Sequence, residues 1–125
     1  MNEMEIVSEM GFKETVESLR KSIEENGLKI VSAVDAQSNL RRIGVEIGGN
    51  QILEVFHPAL AKEVFEHDLR AGIVPPLRIY IFEDGGKTHV MAQSAVYLFS
   101  PYSGLENLAR KLDMIMESIL RSVPQ

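Results

Sequence analysis

Apolar residues recur with two different periods along the chain. Runs with a two-residue period and many β-branched or aromatic residues predict strands; they lie at 4–8, 28–35, 51–56, 77–83 and 87–93. Apolar residues spaced by three and four predict helices, which begin at residues 12, 36, 58 and 105. The predicted order is strand, helix, strand, short helix, strand, helix, strand, strand and helix, with 94–102 irregular.

Glycine, proline and capping residues mark the ends of the predicted helices. Gly27 ends the first helix and Gly44 ends the short second one, because glycine readily adopts the left-handed cap conformation. Pro58 opens the third helix, where an N–H would have no helical partner. Ser103 and Glu106 match a capping box at the start of the last helix. Helical periodicity also turns several apolar side chains inward, among them Leu40, Ile43 and Phe65.

The strongest local pattern is a hairpin. Two β-rich runs, 77–83 and 87–93, flank a turn that contains Gly85 and Gly86. Because a hairpin pairs its strands antiparallel, the element order predicts an α+β fold with a mostly antiparallel sheet and helices packed on one face. Residues 1–125 are expected to form a single domain with disordered ends at 1–3 and 122–125.

Alternation along the strands predicts two different sheet faces. One face is aliphatic and suits the helices: Leu53, Val55, Leu77, Ile79, Ile81, Val90 and Ala92. The other face collects polar, aromatic and sulfur-containing side chains: Glu54, Phe56, Arg78, Tyr80, Phe82, His89 and Met91. Such a face has three interpretations, namely a half-solvated surface, a dimer interface or the floor of a small-molecule site.

Composition and charge exclude several classes of function. The chain of 125 residues contains no cysteine, which removes disulfides and thiolate chemistry and is compatible with a reducing cytoplasm. The formal net charge is −5 and the lysines and arginines are scattered, so nucleic-acid binding is not expected. The acidic beginning of the chain and the lack of a long apolar run predict no signal peptide and no membrane association. We expect a cytoplasmic protein.

Histidines and carboxylates are the remaining candidates for chemistry. A metal site would draw on His57, Glu63, His67 and His89. These residues match no ligand motif, so we expect no metal. The glycine pairs match no nucleotide-binding pattern, so we expect no cofactor. A small enzyme is the alternative function, and its polar groups beside an aromatic pocket would be Asp35, Arg78, Glu83 and His89.

The order and spacing of several short marks are similar to a known family. The marks are Gly27, Asp35, the segments 40–44 and 52–58, Pro76-Leu77-Arg78 and Glu83-Asp84-Gly85. The chain resembles domain-of-unknown-function family three-hundred-and-two from Phe12 to about Leu120. The resemblance implies a compact TBP-like α+β domain, often a homodimer, with no assigned activity. The chain departs from the family pattern at Ala36 and His57, so roles tied to those positions are not transferred.

A homodimeric binding or interaction module is the preferred function. Exposed aromatic side chains beside one another form a patch that a two-fold axis covers with its own copy. We expect Phe56, Arg78, Tyr80 and Phe82 at or near this contact. In the competing arrangement, the chain's own segment 94–102 covers Tyr80 and Phe82.

Overall fold

The computed structural model of the protein describes residues 2–125. The strands are β1 (Glu3–Ser8), β2 (Lys29–Asp35), β3 (Asn50–Phe56), β4 (Leu77–Asp84) and β5 (Lys87–Gln93). The helices are α1 (Phe12–Glu25), α2 (Ala36–Arg41), α3 (Pro58–His67), α4 (Ala95–Leu98) and α5 (Glu106–Arg121). A 3₁₀ segment, Leu69–Ile73, follows α3.

The five strands form one sheet in the order β1-β5-β4-β3-β2. Every neighbouring pair is antiparallel, and the predicted hairpin is the β4–β5 pair. The edge strands β1 and β2 are joined by α1, which crosses the sheet between them. Strand β2 carries a register shift between Ile30 and Ser32, a bulge that bends this edge.

One face of the sheet and the helices enclose a single apolar core. Alternating residues of the central strands are fully buried there, including Leu53, Ile79, Ile81 and Val90. The helices contribute their apolar stripes to the same cluster: Val16, Leu19 and Ile23 from α1, Leu60 and Val64 from α3, and Leu112, Met116 and Ile119 from α5. The predicted fold class is therefore confirmed, an α+β domain with an antiparallel sheet and helices on one face.

Two of the predicted helix ends are confirmed in atomic detail. Gly27 has a φ of 81°, and the N–H of Leu28 donates to the carbonyl of Ile23 at 3.1 Å, the bonding of a Schellman motif. The ring Nδ1 of His57 accepts a hydrogen bond from the N–H of Leu60 at 3.3 Å, so His57 caps α3 immediately before Pro58.

The capping box predicted at 103–106 is wrong, because neither of its two reciprocal hydrogen bonds is formed. The Glu106 carboxylate accepts a hydrogen bond from the N–H of Gly104 at 3.2 Å, but Leu105 is the N-cap of α5 and no side chain caps it. The carbonyl oxygen of Ser103 is instead paired with Nε2 of His67 at 2.8 Å. The end of α3 and the start of α5 are thereby fastened together.

The structure also corrects three expectations about packing and order. Residues 94–102 are not irregular throughout, because α4 occupies Ala95–Leu98. Ile43 is 74% exposed and Phe65 is 42% exposed, so neither points into the core. The expected disorder at 1–3 and 122–125 is not seen in the described residues, because Glu3 lies in β1 and Val123 is buried. Met1 lies outside the described residues.

Among residues 2–125, none of the helices is both long and apolar enough to span a membrane.

Candidate functional site

The sheet face opposite the helices, which we call the open face, carries side chains in three rows. The register places Arg78 opposite Glu54, Tyr80 between Ile52 and Met91, and Phe82 between Asn50 and His89. The predicted polar and aromatic residues therefore share one face, and six of them lie on neighbouring strands: Glu54, Arg78, Tyr80, Phe82, His89 and Met91. The sequence could not supply this register.

The middle row is apolar from one edge of the sheet almost to the other. It runs from Val34 on β2 through Ile52, Tyr80 and Met91 to Glu5 on β1. Val34 is 41% exposed, and Ile52, Tyr80 and Met91 are each partly exposed. The apolar part of this row therefore lies at the surface of the chain.

The third row contains Asn50, Phe82 and His89, and its rings stack on each other and on Tyr80 of the middle row. The rings of Tyr80 and Phe82 lie 4.9 Å apart between centroids with an interplanar angle of 24°, and Phe82 stacks on His89 at 4.9 Å and 10°. The side-chain amide of Asn50 donates a hydrogen bond to the Tyr80 hydroxyl at 2.8 Å. These contacts hold the three rings in fixed positions on the open face.

The first row is polar. Nε of Arg78 lies 3.7 Å from Oε2 of Glu54, which is an ion pair without a close hydrogen bond. The backbone N–H of Arg78 donates to Oε1 of Gln93 at 3.0 Å, and Gln93 is in turn paired with Glu3. The guanidinium of Arg78, the carboxylate of Glu54 and the amide of Gln93 therefore lie next to one another at one edge of the open face.

A cleft of about 420 Å³ opens beside this polar row. Its polar wall consists of Glu54, Arg78 and Gln93. The opposite walls come from the loop before β4 and from the segment after β5: Ile73, Val74, Pro75, Pro76, Leu98, Pro101 and Tyr102. A shallower hollow of about 250 Å³ continues onto the open face over Tyr80 and Met91 and shares Arg78 and Gln93 with the cleft.

Three predicted candidates lie elsewhere and have local roles. Asp35 accepts a hydrogen bond from the N–H of Ser38 and caps α2. Glu83 accepts a hydrogen bond from the N–H of Gly49 at 2.6 Å and pairs with Thr88 on the helix side of the sheet. His57 caps α3, as described above.

Phe56 lies apart from the other aromatic residues of the open face. It is four residues beyond Ile52, the partner of Tyr80, which corresponds to about 13 Å along the strand. There it lines a hollow beside α3 with Ala61 and Phe65. The structure therefore does not bring Phe56 together with Tyr80 and Phe82.

The segment 94–102 also lies away from the aromatic rings. Phe99 is buried in the helix-side core, and Tyr97 is 50% exposed. Leu98 and Tyr102 line the cleft beside the polar row.

The histidines make separate contacts. His57 caps α3, His67 pairs with Ser103, and His89 stacks on Phe82. Within the described part of the chain, no three histidine or carboxylate side chains converge on one point as metal ligands would. That the protein binds no metal stays a prediction.

Several residues of the site were outside the predicted set. Strand alternation places Ile52 and Gln93 on the open face, but only the register shows that they neighbour Tyr80 and Arg78. Tyr102 follows a short helix that begins at Ser94, whose hydroxyl accepts from the N–H of Tyr97 at 3.2 Å. Serine is a preferred N-cap residue, so Ser94 was a signal in the sequence that could have predicted α4.

Comparison with known proteins gives a family and a fold. No curated protein matches this chain significantly. Among solved structures, the crystal structure of an uncharacterized conserved protein DUF302 from Bacillus stearothermophilus is similar, with a TM-score of 0.91 and 21% sequence identity over 98% of each chain. The family described as domain of unknown function DUF302 matches residues 4–123. The suspected resemblance is thus confirmed, and the chain belongs to the DUF302 family.

Proposed function

We propose that this protein is a homodimeric interaction module in which a second copy covers the open face. The observation that carries the proposal is the apolar middle row of Val34, Ile52, Tyr80 and Met91, which no helix of the described chain covers. Contiguous apolar patches at the surface of a protein commonly mark interaction sites. A second copy offers a surface of the same chemistry.

The size of the open face is compatible with a dimer. Five strands about 4.8 Å apart and about seven residues long form a surface of roughly 20 Å by 23 Å. Two such surfaces, treated as flat, bury about 900 Å² in total, close to the roughly 1,000 Å² at which specific interfaces begin. The side chains that project from each sheet add to this area. Tyr80 and Phe82 supply the large aromatic area on which such contacts depend.

The relative position of 94–102 also supports the dimer. Its aromatic residue Phe99 is buried in the helix-side core, and Tyr102 lines the cleft. Neither therefore competes with a partner for the ring of Tyr80.

The alternative, a small enzyme, has less support from the geometry. Its four polar groups divide between the two sides of the sheet, because Asp35 and Glu83 make their hydrogen bonds away from Arg78 and His89. His89 lies opposite Phe82, four residues along β4 from Arg78, about 13 Å. A general base and a substrate-binding cation would need to be closer together. A cytoplasmic location remains part of the proposal, with which the lack of cysteine is compatible.

The oligomeric state tests the proposal. Light scattering after size-exclusion chromatography is expected to give a dimer at tens of micromolar, and Tyr80→Glu and Ile52→Glu are expected to give folded monomers. Tyr97→Glu is the matched control, because Tyr97 is exposed away from the open face. It should stay dimeric.

A monomeric wild type contradicts the proposal. A Tyr80→Glu protein that remains dimeric, with an unchanged circular dichroism spectrum, places the interface elsewhere and contradicts it as well.

A further inference from the structure

The cleft opens beside the polar row at the margin of the open face, and the apolar middle row that carries the dimer proposal does not line it. It lies at the edge of the sheet where β3 and β5 end and β4 begins, between Arg78 on one side and Pro101 and Tyr102 on the other. Its volume of about 420 Å³ falls in the range of roughly 300–1,000 Å³ that small-molecule sites occupy. Tyr80 does not line it, so the occupancy of the cleft and the dimer can be tested separately.

The polar groups of the cleft retain unused bonding capacity. Apart from the contact of Nε with Glu54 at 3.7 Å, the guanidinium of Arg78 makes no hydrogen bond or ion pair within residues 2–125. The amide of Gln93 uses its oxygen to accept from the N–H of Arg78, which leaves its two N–H donors to the cleft. The Glu54 carboxylate has no hydrogen-bond donor among the described residues.

The cation and the anion of the cleft stand side by side. Arg78 and Glu54 face each other across the β3–β4 pair, so the ends of their side chains define one positive and one negative point a few ångströms apart. The chemical complement of such a pair is a ligand whose own negative and positive groups are adjacent. An α-amino acid has its carboxylate and its ammonium group on the same carbon atom.

Other small-molecule classes fit this wall less well. A phosphate ester or a nucleotide carries two or more negative charges, and Glu54 would repel them while Arg78 alone attracts them. A simple amine would leave Arg78 unpaired, and a simple carboxylate would leave Glu54 unpaired. A ligand with both groups pairs with both side chains at the same time.

The remaining walls of the cleft are apolar and rigid. Pro75, Pro76 and Pro101 have restricted backbones, and Ile73 and Leu98 supply aliphatic surface. Ile73 is 81% exposed in the free chain, so a ligand side chain packed against it would remove apolar surface from water. The body of the ligand is therefore expected to be aliphatic.

We propose that the cleft binds a free α-amino acid with an aliphatic side chain. The carboxylate pairs with the guanidinium of Arg78 and the N–H donors of Gln93, and the ammonium group donates to Glu54. The aliphatic side chain lies against Ile73, Leu98 and the prolines. This site goes beyond the proposed dimer, because it takes a small molecule at the polar row, whereas the dimer rests on the apolar middle row.

Isothermal titration of the full chain with L-leucine tests the proposal. Leucine is expected to bind, whereas 4-methylpentanoate, which lacks the ammonium group, and 3-methylbutylamine, which lacks the carboxylate, are each expected to bind at least about tenfold more weakly. Inorganic phosphate should not bind. Leucine should also raise the melting temperature, because it binds the folded state only.

Variants connect this binding to the named side chains. Arg78→Met keeps the aliphatic stem and removes the charge, and Glu54→Gln keeps the shape and removes the anion; each is expected to weaken leucine binding at least about tenfold. Arg20→Met, at an exposed arginine on α1, is the control and should leave binding unchanged. Melting curves without leucine verify that each variant is folded.

Three results would overturn the proposal. They are absence of leucine binding to the wild type, equal affinity for 4-methylpentanoate or phosphate, and leucine binding that survives both Arg78→Met and Glu54→Gln. Leucine binding to the Tyr80→Glu variant should equal that of the wild type. Failure of the dimer and failure of the amino-acid site can therefore be told apart.

Discussion

The imidazole ring of His89 lies flat against the ring of Phe82, with 4.9 Å between centroids and 10° between planes. Its Nδ1 atom is buried and has no hydrogen-bond partner among the described residues. The nearest carboxylate oxygen, Oε2 of Glu5, is 3.6 Å away. A buried polar atom without a partner costs about 1–3 kcal/mol of stability.

His89→Phe is therefore expected to preserve the stack and raise the free energy of unfolding by about 1 kcal/mol. His89→Ala, which removes the stack together with the polar atom, should lower it by about 1 kcal/mol. Urea denaturation measures both changes. A His89→Phe protein less stable than the wild type would show that Nδ1 has a bonding partner in solution.

Gly49 lies directly against the ring of Phe12, the first residue of α1. A Cβ atom at this position would collide with the ring of Phe12, and the N–H of Gly49 is already held by Glu83. Gly49→Ala is expected to lower the free energy of unfolding by about 1–3 kcal/mol, because the ring and the loop must move apart.

The matched control for this prediction is Gly11→Ala. A Cβ at Gly11 meets nothing within 4 Å, and the residue has an ordinary φ of −67°. Its stability should therefore stay within about 0.5 kcal/mol of the wild type. Equal loss of stability in both variants would contradict the packing argument.

Glu106 gives a prediction about pH. The pKa of its carboxyl lies below the ordinary value, because the backbone N–H of Glu106 itself and that of Gly104 donate to the carboxylate, with smaller contributions from Arg110 and His67. A lowered folded-state pKa means that the ionised form stabilises the fold above the unfolded-state pKa of about 4.3. This stabilisation is lost as the pH falls through the folded-state value.

Glu106→Gln is therefore expected to melt at a slightly lower temperature than the wild type at pH 7 and at pH 5. The difference should shrink as the pH falls through the folded-state pKa of Glu106 and vanish once that carboxyl is protonated. The carboxylate is fully exposed, so the effect is small. Glu24→Gln, at an exposed residue of α1, is the control for removal of one carboxylate and should melt like the wild type at pH 7.

The charge of the protein gives a prediction about binding to nucleic acid. The net charge is −5, and the open face carries Glu3, Glu5, Glu54 and Asp84 together with Lys29, Arg78 and Lys87, so it has no cluster of positive charge alone. Binding to duplex DNA is therefore expected to be negligible at moderate salt. Fluorescence anisotropy with labelled duplex checks this, and a salt-dependent submicromolar complex would contradict it.

Alternation along single strands was sufficient to predict the two faces of the sheet. Leu53, Ile79 and Val90 face the helices and Tyr80 and His89 face away, as a two-residue period requires. The helix stripes were also predictable, because Leu19 and Ile23 repeat at the helical period.

What the sequence could not supply depends on distant parts of the chain. The pairing of Arg78 with Glu54 follows from the β3–β4 register, which no single strand encodes. Ile43 matched the helical period but is exposed, because α2 ends at Arg41, before that residue. The cleft forms only because the segments 69–76 and 94–102 lie next to each other. The residue that holds 94–102 in place lies in neither segment but in α5.

That residue is Asp113, in the middle of α5. Its Oδ1 accepts a hydrogen bond from the N–H of Ala95 at 2.5 Å, and its Oδ2 accepts from the Ser94 hydroxyl at 2.7 Å and from the N–H of Val96 at 3.3 Å. One carboxylate thus receives three donors at the start of α4. It fastens to α5 the segment that carries Leu98 and Tyr102 into the cleft.

Asp113→Asn replaces one accepting oxygen with a donating amide, which faces donors that it cannot satisfy. We expect a loss of about 1–3 kcal/mol in the free energy of unfolding and faster hydrogen exchange at the N–H groups of Ala95 and Val96. Asp84→Asn, at an exposed carboxylate in the β4–β5 turn, should change neither quantity. If exchange at Ala95 and Val96 stayed at the wild-type rate in Asp113→Asn, the carboxylate would not be what holds α4 against α5, and the cleft wall would owe its position to the burial of Phe99 instead.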